Sequence, residues 1–475
     1  MYPYTFNQYD TTDYGYYISC PFSLILAPSV GHESRAVIFD KDGYLTWFSV
    51  CNTLRFLNFK FYPDTNLFGC YFWNNPYGYV FMDSTFQIKD TTSVYNGFYI
   101  NPHEFQILSN GNIIYTAYID SIMDLSAYTF NGDQGSATTN VQGDMIFEFD
   151  RAHNLVFQWN GFDYIFPTEE YEQFGYSTAG FDYSHANSIS EDSDGNLLVS
   201  FRHLNSVYKI DHSNGNVLWR LGGKSSTFTF VNDTGFSGQH DIRYFSGGII
   251  SLFDNAVTTT DQSRAVMYSL DTVAWTATRI WEYKPDPGFP SPAMGSHQIT
   301  ADSNHVIDFG ENRRPNPSVD FVDNSGNKIS ELFYEDSIQS YRTFVQKLPF
   351  VLPRPIISCT SGINSINLFA PAGYQSYIWS TGSTSDHISV SDTGVYQVWV
   401  NYGIGMLGSK PFFVNNISTA CTTIGIMEQQ TLKPASDYII YDVLGRTVRK
   451  PENGHVYIYR YSNGFSELKY YSGDY

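Results

Sequence analysis

Along most of the chain, apolar residues alternate with polar ones in runs of strand length, and Gly, Asn and Asp gather between the runs. Successive side chains of a strand face opposite sides, so a period of two marks a half-buried β-strand. No long segment keeps apolar residues at i, i+3, i+4 and i+7 between helix caps, which predicts an all-β protein. Laid against itself, the chain repeats one phrase: an alternating strand, a turn centred on Gly or Asn, and a second strand ending in Trp or Phe. Four copies are clear: Met145–Asp150 with Leu155–Trp159, Val207–Asp211 with Val217–Arg220, Val266–Asp271 with Arg279–Trp281, and Val319–Asp323 with Ile329–Phe333. Their starts lie about 50 to 60 residues apart, the spacing of a four-stranded propeller blade with generous loops. Turn signals at Asn110-Gly-Asn112, Asp194-Gly-Asn196 and Gly247-Gly248 mark inner hairpins between the copies. Ala36–Trp47 suggests an earlier blade and Phe59–Ile88 a less regular one, so five to six blades fill residues 1–348.

The prolines of Leu348-Pro-Phe-Val-Leu-Pro-Arg-Pro355 write an extended, stiff linker over 349–355 that cannot enter a sheet interior. Short alternating strands then read as a small β-sandwich over 356–420, and a last set of strands with turns occupies 421–475. The five cysteines have no metal-like spacing. Pairing of Cys359 with Cys421 to close one module and a set of sparse buried thiols are both open readings.

Composition narrows the function. The 475 residues include 38 Tyr and 37 Phe but only 27 Lys plus Arg, a β-sheet composition with enough apolar mass for a substantial core. A formal charge of −20 argues against a nucleic-acid binder, which needs a basic stripe to neutralise phosphates. No stretch approaches the roughly 20 apolar residues that span a bilayer, so a soluble protein is expected. Met1-Tyr2-Pro3-Tyr4 lacks a basic and an apolar leader region. That fits a cytosolic chain or one from which a signal peptide was removed.

Propellers place ligands at the mouth of the central channel, where inner strands converge. Five of the eleven histidines sit beside inner-strand signals: His103, His185, His203, His240 and His297. Coming from successive blades, they are expected to meet around one axis, as a catalytic or metal site requires. His185 and Asn187 are two residues apart and share a strand face. Ser200 and Arg202 share the same relation, which puts a guanidinium on one face and His203 on the other; such a fork of donors suits a tetrahedral oxyanion.

Phe181-Asp-Tyr-Ser-His-Ala-Asn-Ser-Ile189, Leu197-Leu-Val-Ser-Phe-Arg-His203, Trp219-Arg-Leu-Gly-Gly223, Gly238-Gln-His-Asp241, Leu252-Phe-Asp-Asn255 and Ser263-Arg264 resemble, in order and spacing, the signature of the bacterial arylsulfotransferase family. The resemblance spans roughly residues 100 to 345; the first hundred residues match poorly. It implies a six-bladed β-propeller that moves a sulfuryl group from a phenolic sulfate ester to a phenol in a ping-pong reaction, without the nucleotide donor PAPS, any other cofactor, or a metal. By motif position His240 resembles the nucleophile that becomes sulfohistidine, and His185, Asn187 and Arg202 the residues that hold the sulfuryl oxygens. His103 resembles a further channel histidine; it or a protonated His185 would protonate the departing phenolate. Where relatives carry a hydroxyl residue, this chain offers Ser296 or His297 for substrate binding.

Tyr438-Ile-Ile-Tyr-Asp-Val-Leu-Gly-Arg-Thr-Val448 and the strands after it resemble the C-terminal sorting domain of the type IX secretion system. The Tyr377-Ile-Trp-Ser-Thr-Gly-Ser-Thr384 stretch resembles the Ig-like modules found beside such tails. Together they imply engagement of that secretion machinery, a secreted or outer-surface location and a lost signal peptide. Other readings share the same channel: a non-catalytic, lectin-like propeller, an aryl sulfate hydrolase using the same histidine, and a channel metal held by several histidines.

Overall fold

The computed structural model describes residues 3–23, 34–49, 56–74, 77–93, 95–130, 132–171, 175–258, 262–312, 314–335, 338–421, 438–441, 447–448, 455–461 and 466–471. Among them there is no α-helix, only short 3₁₀ turns such as Arg202–Leu204 between strands. The all-β expectation is met, and no helix is long and apolar enough to cross a membrane. The chain divides into two compact units: Met1–Pro355 with Tyr374–Ile378 and Val398–Lys410, and Ile356–Gly373 with Trp379–Gln397 and Pro411–Tyr475.

The first unit is a succession of antiparallel sheets built as meanders. Phe56–Tyr62, Leu67–Asn74, Tyr77–Met82 and Ile88–Ser93 form the first sheet. Tyr99–Ile107, Ile113–Met123, Thr139–Phe149 and Leu155–Asn160 form the second. Ala186–Glu191, Leu197–Phe201, Ser206–Ile210 and Val217–Gly222 form the third. His240–Phe245, Ile249–Asp254, Arg264–Asp271 and Thr276–Tyr283 form the fourth. Ser296–Ile299, His305–Asp308, Val319–Val322 and Lys328–Tyr334 form the fifth. The four repeated phrases are the third and fourth strands of the second to fifth sheets.

A sixth sheet joins the two ends of this unit. Its first strand, Ile338–Gln346, comes late in the chain, and its next three, Tyr16–Ser23, Val37–Phe39 and Leu45–Ser49, come early. The ladder from Tyr16↔Gln346 to Ser23↔Ile338 therefore closes the circuit by backbone hydrogen bonds. Tyr4–Gln8 adds a second clasp on the outer edge of the fifth sheet, against Lys328–Tyr334. The turn at Gly43 passes so close to Phe6 that a Cβ there would overlap the ring, and its φ of +79° lies in the left-handed region that favours glycine. Gly405–Gly408, inside the range the sequence assigns to the sandwich, pairs with Leu45–Ser49 and extends the sixth sheet.

The apolar faces of neighbouring sheets pack on each other. Ile18 and Trp47 of the sixth sheet meet Phe59, Phe68 and Cys70 of the first, and Trp47 stacks on Phe86 with ring centroids 4.0 Å apart. The abundance of aromatics in the sequence is thus spent on inter-sheet packing, where large flat side chains fill wedge-shaped space. Cys20 and Cys70 are buried free thiols in this layer, with pKa values raised by desolvation.

The six first strands are neighbours in a closed order, each beside the next and the last beside the first. Where they converge lies a buried ionic hub. Glu104, fully buried on the second sheet, accepts from Lys60 Nζ of the first at 3.1 Å, from Arg243 Nη2 of the fourth at 2.9 Å and from Arg342 Nη1 of the sixth at 3.1 Å. Arg342 Nη2 donates to the carbonyl of Asn187 on the third sheet at 2.8 Å. Asp241 accepts from the backbone N–H of His297 on the fifth at 3.1 Å and from Arg243 at 2.5 Å. Arg342 Nε lies 3.1 Å from Asp241 as an ionic contact without hydrogen-bond alignment. Every first strand contributes at least one group, and His240–Phe245 contributes both Asp241 and Arg243. A charge so enclosed is tolerable only when its partners are all in place.

In the second unit, Ser358–Ser361, Ile366–Phe369 and His387–Val390 make a three-stranded sheet, and Gly394–Tyr396 pairs with Phe412–Val414. Cys359 and Cys421 form a disulfide with Cα atoms 5.6 Å apart, so the pairing reading holds for these two. Cys51 lies outside the described residues. Thr447–Val448, Tyr438–Tyr441, His455–Tyr461 and Ser466–Tyr471, in that order, form a four-stranded sheet. The Leu444-Gly445-Arg446 turn of the tail lies outside the described residues.

Replacing Arg342 by Met leaves Glu104 and Asp241 short of a cation in a dry environment. Loss of about 3–5 kcal/mol of stability is expected, read from the urea midpoint; an unchanged midpoint would show that the hub is not a structural constraint.

Candidate active site

Above the hub, at the N-terminal ends of the first strands, the backbone leaves regular pairing. The register shifts between Leu57 and Lys60, between Ala186 and Ser188, and between His240 and Arg243. Asn58, His185 and Asp241 sit there with φ of 57°, 56° and 59°. Bulges of this kind bend a strand and re-aim its side chains, and non-glycine residues in the left-handed region cluster where surrounding contacts hold them for a purpose.

His240 opens the first strand of the fourth sheet and is 2 % exposed. Its Nδ1 lies 2.8 Å from Asn255 Oδ1 and 3.1 Å from the carbonyl of Gly238. The Asn255 amide nitrogen donates to the carbonyls of Ser291 and Met294, both at 2.8 Å, so its oxygen is the atom that faces His240. Both neighbours of Nδ1 are acceptors; Nδ1 therefore carries the proton, and Nε2 keeps a lone pair with no hydrogen-bond partner among the described residues. Burial, then the positive charge of Arg202, holds the ring's pKa well below the ordinary value, and His240 is neutral.

Four further rings stand in sequence beside it. The ring of Tyr341, from the first strand of the sixth sheet, lies 6.5 Å from His240 and 5.6 Å from His103. His103 is 4.7 Å from His185, which stacks on His203 at 4.5 Å. His103 is oriented by Asn101, whose side-chain oxygen also accepts from the His103 backbone N–H at 3.0 Å, and by Tyr118, whose hydroxyl is 3.2 Å from Nδ1. Asp182 Oδ2 holds His185 Nδ1 at 2.5 Å, while the Asp182 carbonyl takes His203 Nδ1 at 2.6 Å. Arg202 Nη1 donates to His203 Nε2 at 2.9 Å and Nη2 to the carbonyl of Pro292 at 3.0 Å. Desolvation lowers His103 well below its usual range and His185 and His203 to about 3. These rings too are neutral, so neither His103 nor His185 rests as the acid that the sequence offered for the departing phenolate; with Nδ1 engaged by Asn101 and Asp182, Nε2 is the nitrogen of each ring that carries the lone pair.

Not every expected position lies in this row. The sequence reading set His185 and Asn187 on one strand face, but His185 precedes the strand in a left-handed turn and a bulge follows, so the alternation fails. Asn187 instead reaches the segment just before the first strand of the fourth sheet, donating to the carbonyl of Gln239 at 2.7 Å. Arg202 and His203, expected on opposite faces, bond to each other because the strand ends at Phe201 and a 3₁₀ turn follows. His185 and His203 come from one sheet rather than two. His297 turns away from the row: its Nε2 lies 2.9 Å from His305 Nδ1, with the Trp281 ring 5.1 Å off. Ser296 is buried with an Oγ that has no partner among the described residues. Alternation places it on the strand face opposite His297.

Asp182, His185 and His203 bring ligand-type atoms within 4.8 Å of one another. Both nitrogens of His203 are already engaged and a guanidinium adjoins it, so this trio is poorly suited to a cation. With a desolvated imidazole lone pair beside a fixed guanidinium and two neutral bases, the arrangement suits attack on an electrophile that develops negative charge on its oxygens. Sequence reasoning missed Asn255 and Asp182 as orienting groups, although both stand inside the quoted motifs, and it missed Tyr341 altogether.

A family model described as arylsulfotransferase (ASST) matches residues 75–329. No curated protein sequence matches the chain. Among solved structures, the chain is similar to a protein of unknown function from Bacteroides caccae (10% identity, TM-score 0.44, 70% of this chain and 98% of that one). It is also similar to the periplasmic gluconolactonase PpgL of Pseudomonas aeruginosa (11%, TM-score 0.35, 84% and 99%). A third is a virginiamycin B lyase from Staphylococcus aureus (11%, TM-score 0.33, 70% and 99%).

Because the folded pKa of His240 is depressed, its protonation moves below the window near 6.5 in which a free histidine titrates. Nitrogen NMR shifts of His240 should therefore report the neutral Nδ1–H tautomer from about pH 8 to about pH 5. An imidazolium signal appearing near 6.5 would contradict the site as described.

Proposed function

As this chain belongs to the arylsulfotransferase (ASST) family, we propose that it is a PAPS-independent aryl sulfotransferase, working through His240 at the hub of a six-bladed β-propeller. The observation that carries the reading is the locked tautomer of His240, which leaves Nε2 as a nucleophile needing no separate base. In the first half-reaction the Nε2 lone pair forms a bond to sulfur, the bond from sulfur to the aryl oxygen breaks, and phenolate departs. In the second, a phenol attacks the sulfo-imidazolium, its proton passes to Nε2 of His103 or His185, and the nitrogen–sulfur bond breaks. Arg202 stabilises the charge that spreads over the sulfuryl oxygens. The Ser296 hydroxyl, unpartnered among the described residues, supplies a further donor; Asn187 positions the segment before His240 through the Gln239 carbonyl, and His297 holds the fifth sheet through its backbone rather than touching substrate.

The second unit extends the proposal. Its disulfide fits an oxidising compartment. With the Ig-like and type IX sorting resemblances, it supports a chain exported to the outer surface or beyond, handled there by that secretion machinery.

Transfer from 4-nitrophenyl sulfate to phenol should vanish in His240→Ala, and Arg202→Ala should lose about 10²–10³-fold in rate. Activity retained in His240→Ala would end the reading. Nitrophenol release without sulfated phenol would make the enzyme a hydrolase instead.

A further inference from the structure

At the opposite end of the same strands lies a cavity of about 340 Å³. Its walls come from the C-terminal ends of the six first strands, Tyr62, Tyr244, Ile299 and Phe344 among them, and its floor is the hub, through Lys60 and Arg243. The histidine row occupies the N-terminal ends, so the hub separates the two places. The hub itself holds Lys60, Arg243 and Arg342 against Glu104 and Asp241, and Glu191 adds a third carboxylate on the cavity wall.

Donors outnumber free acceptors around the cavity. Lys60 Nζ uses two of its three hydrogens, on Glu104 and on the carbonyl of Phe105 at 2.7 Å. Arg243 donates Nη1 to the carbonyl of Ile189 at 2.8 Å and Nη2 to the two carboxylates; its Nε has no partner among the described residues. Gln106, Gln298 and Gln346 each place one amide hydrogen on a backbone carbonyl, which leaves each a second. The carboxylates are engaged: Asp241 by Arg243 and the His297 N–H, and Glu191 by the backbone and hydroxyl of Ser109 at 2.8 and 3.0 Å. Lys60, only 6 % exposed, faces aromatic rings, with Nζ 5.2 Å from the centroid of Tyr62. An apolar wall with surplus buried donors, two of them on Lys60 and Arg243, is complementary to one class of ligand.

We infer that this cavity is a second binding site, distinct from the histidine row, for a small organic monoanion with a flat apolar body, such as an aryl carboxylate. Its charged head meets Lys60 and Arg243 and its ring lies against the aromatic wall. The site stands independently of the sulfuryl-transfer reading.

Calorimetric titration with benzoate and with neutral, isosteric benzamide tests it. Benzoate should bind the wild-type protein, and benzamide should bind at least about tenfold more weakly. Ile299→Trp, which fills the cavity without touching a hydrogen bond, and Lys60→Met should each weaken benzoate by a similar factor. Arg202→Ala, at the other end, should leave it within about twofold. Equal binding of the two probes, no binding of benzoate, or loss of binding in Arg202→Ala would each overturn the inference. The wild-type and Arg202→Ala comparisons decide it even where a cavity variant fails to fold.

Discussion

Glu104 is the residue through which the first unit holds its centre. A carboxylate with no exposure is stable only while Lys60, Arg243 and Arg342 surround it, and those cations belong to three other sheets. Desolvation would raise its pKa, but the three cations reverse the sign and hold it low. Its neighbours share in the tension: desolvation lowers the pKa of Lys60 to about 7. Apolar packing between sheets supplies the bulk of the stability, yet it tolerates sliding. The ionic hub does not, because a shift of one strand strands a charge in a dry medium.

That rigidity is what the chemistry above the hub requires. Glu104 directly follows His103, and Asp241 directly follows His240, so the backbone bearing two of the rings is pinned one residue away from each. Orientation then comes from neutral acceptors: Asn255 and a carbonyl for His240, Asn101 for His103. Asp144 joins these elements, accepting from the backbone of Ala186 at 2.8 Å, from Ser184 at 2.7 Å and from the same Asn101 at 3.4 Å. Neutral acceptors fix a tautomer while raising the pKa less than a carboxylate would. His185, which does face a carboxylate, is still kept neutral because burial and Arg202 oppose it.

Much of this was legible in the residues. Period-two alternation and the recurring hairpin phrase located the strands, since both follow from side-chain geometry that tertiary context does not change. His103, His185, His203 and Arg202 converge with His240, as their places beside inner-strand signals suggested, although His185 and His203 share one sheet. What failed was local direction. Face assignments for His185 with Asn187, and for Arg202 with His203, assumed unbroken strands, whereas bulges and a 3₁₀ turn stand there. His297 has the right position along its strand but the opposite face. Asn255, Asp182 and Tyr341 are ordinary residues in sequence, and their roles exist only through contacts with distant strands. The hub was equally hidden, because charges scattered over 282 positions from Lys60 to Arg342 carry no local pattern.

The central claim is a covalent one, that the sulfuryl group rests on a named nitrogen between two half-reactions. Rapid acid-free quenching after incubation with an aryl sulfate donor and no acceptor, followed by peptide mass mapping, addresses it directly. The account predicts a gain of about 80 Da on the peptide carrying His240, discharged when phenol is added. An unmodified His240 peptide during active turnover, or the added mass on another residue, would contradict it.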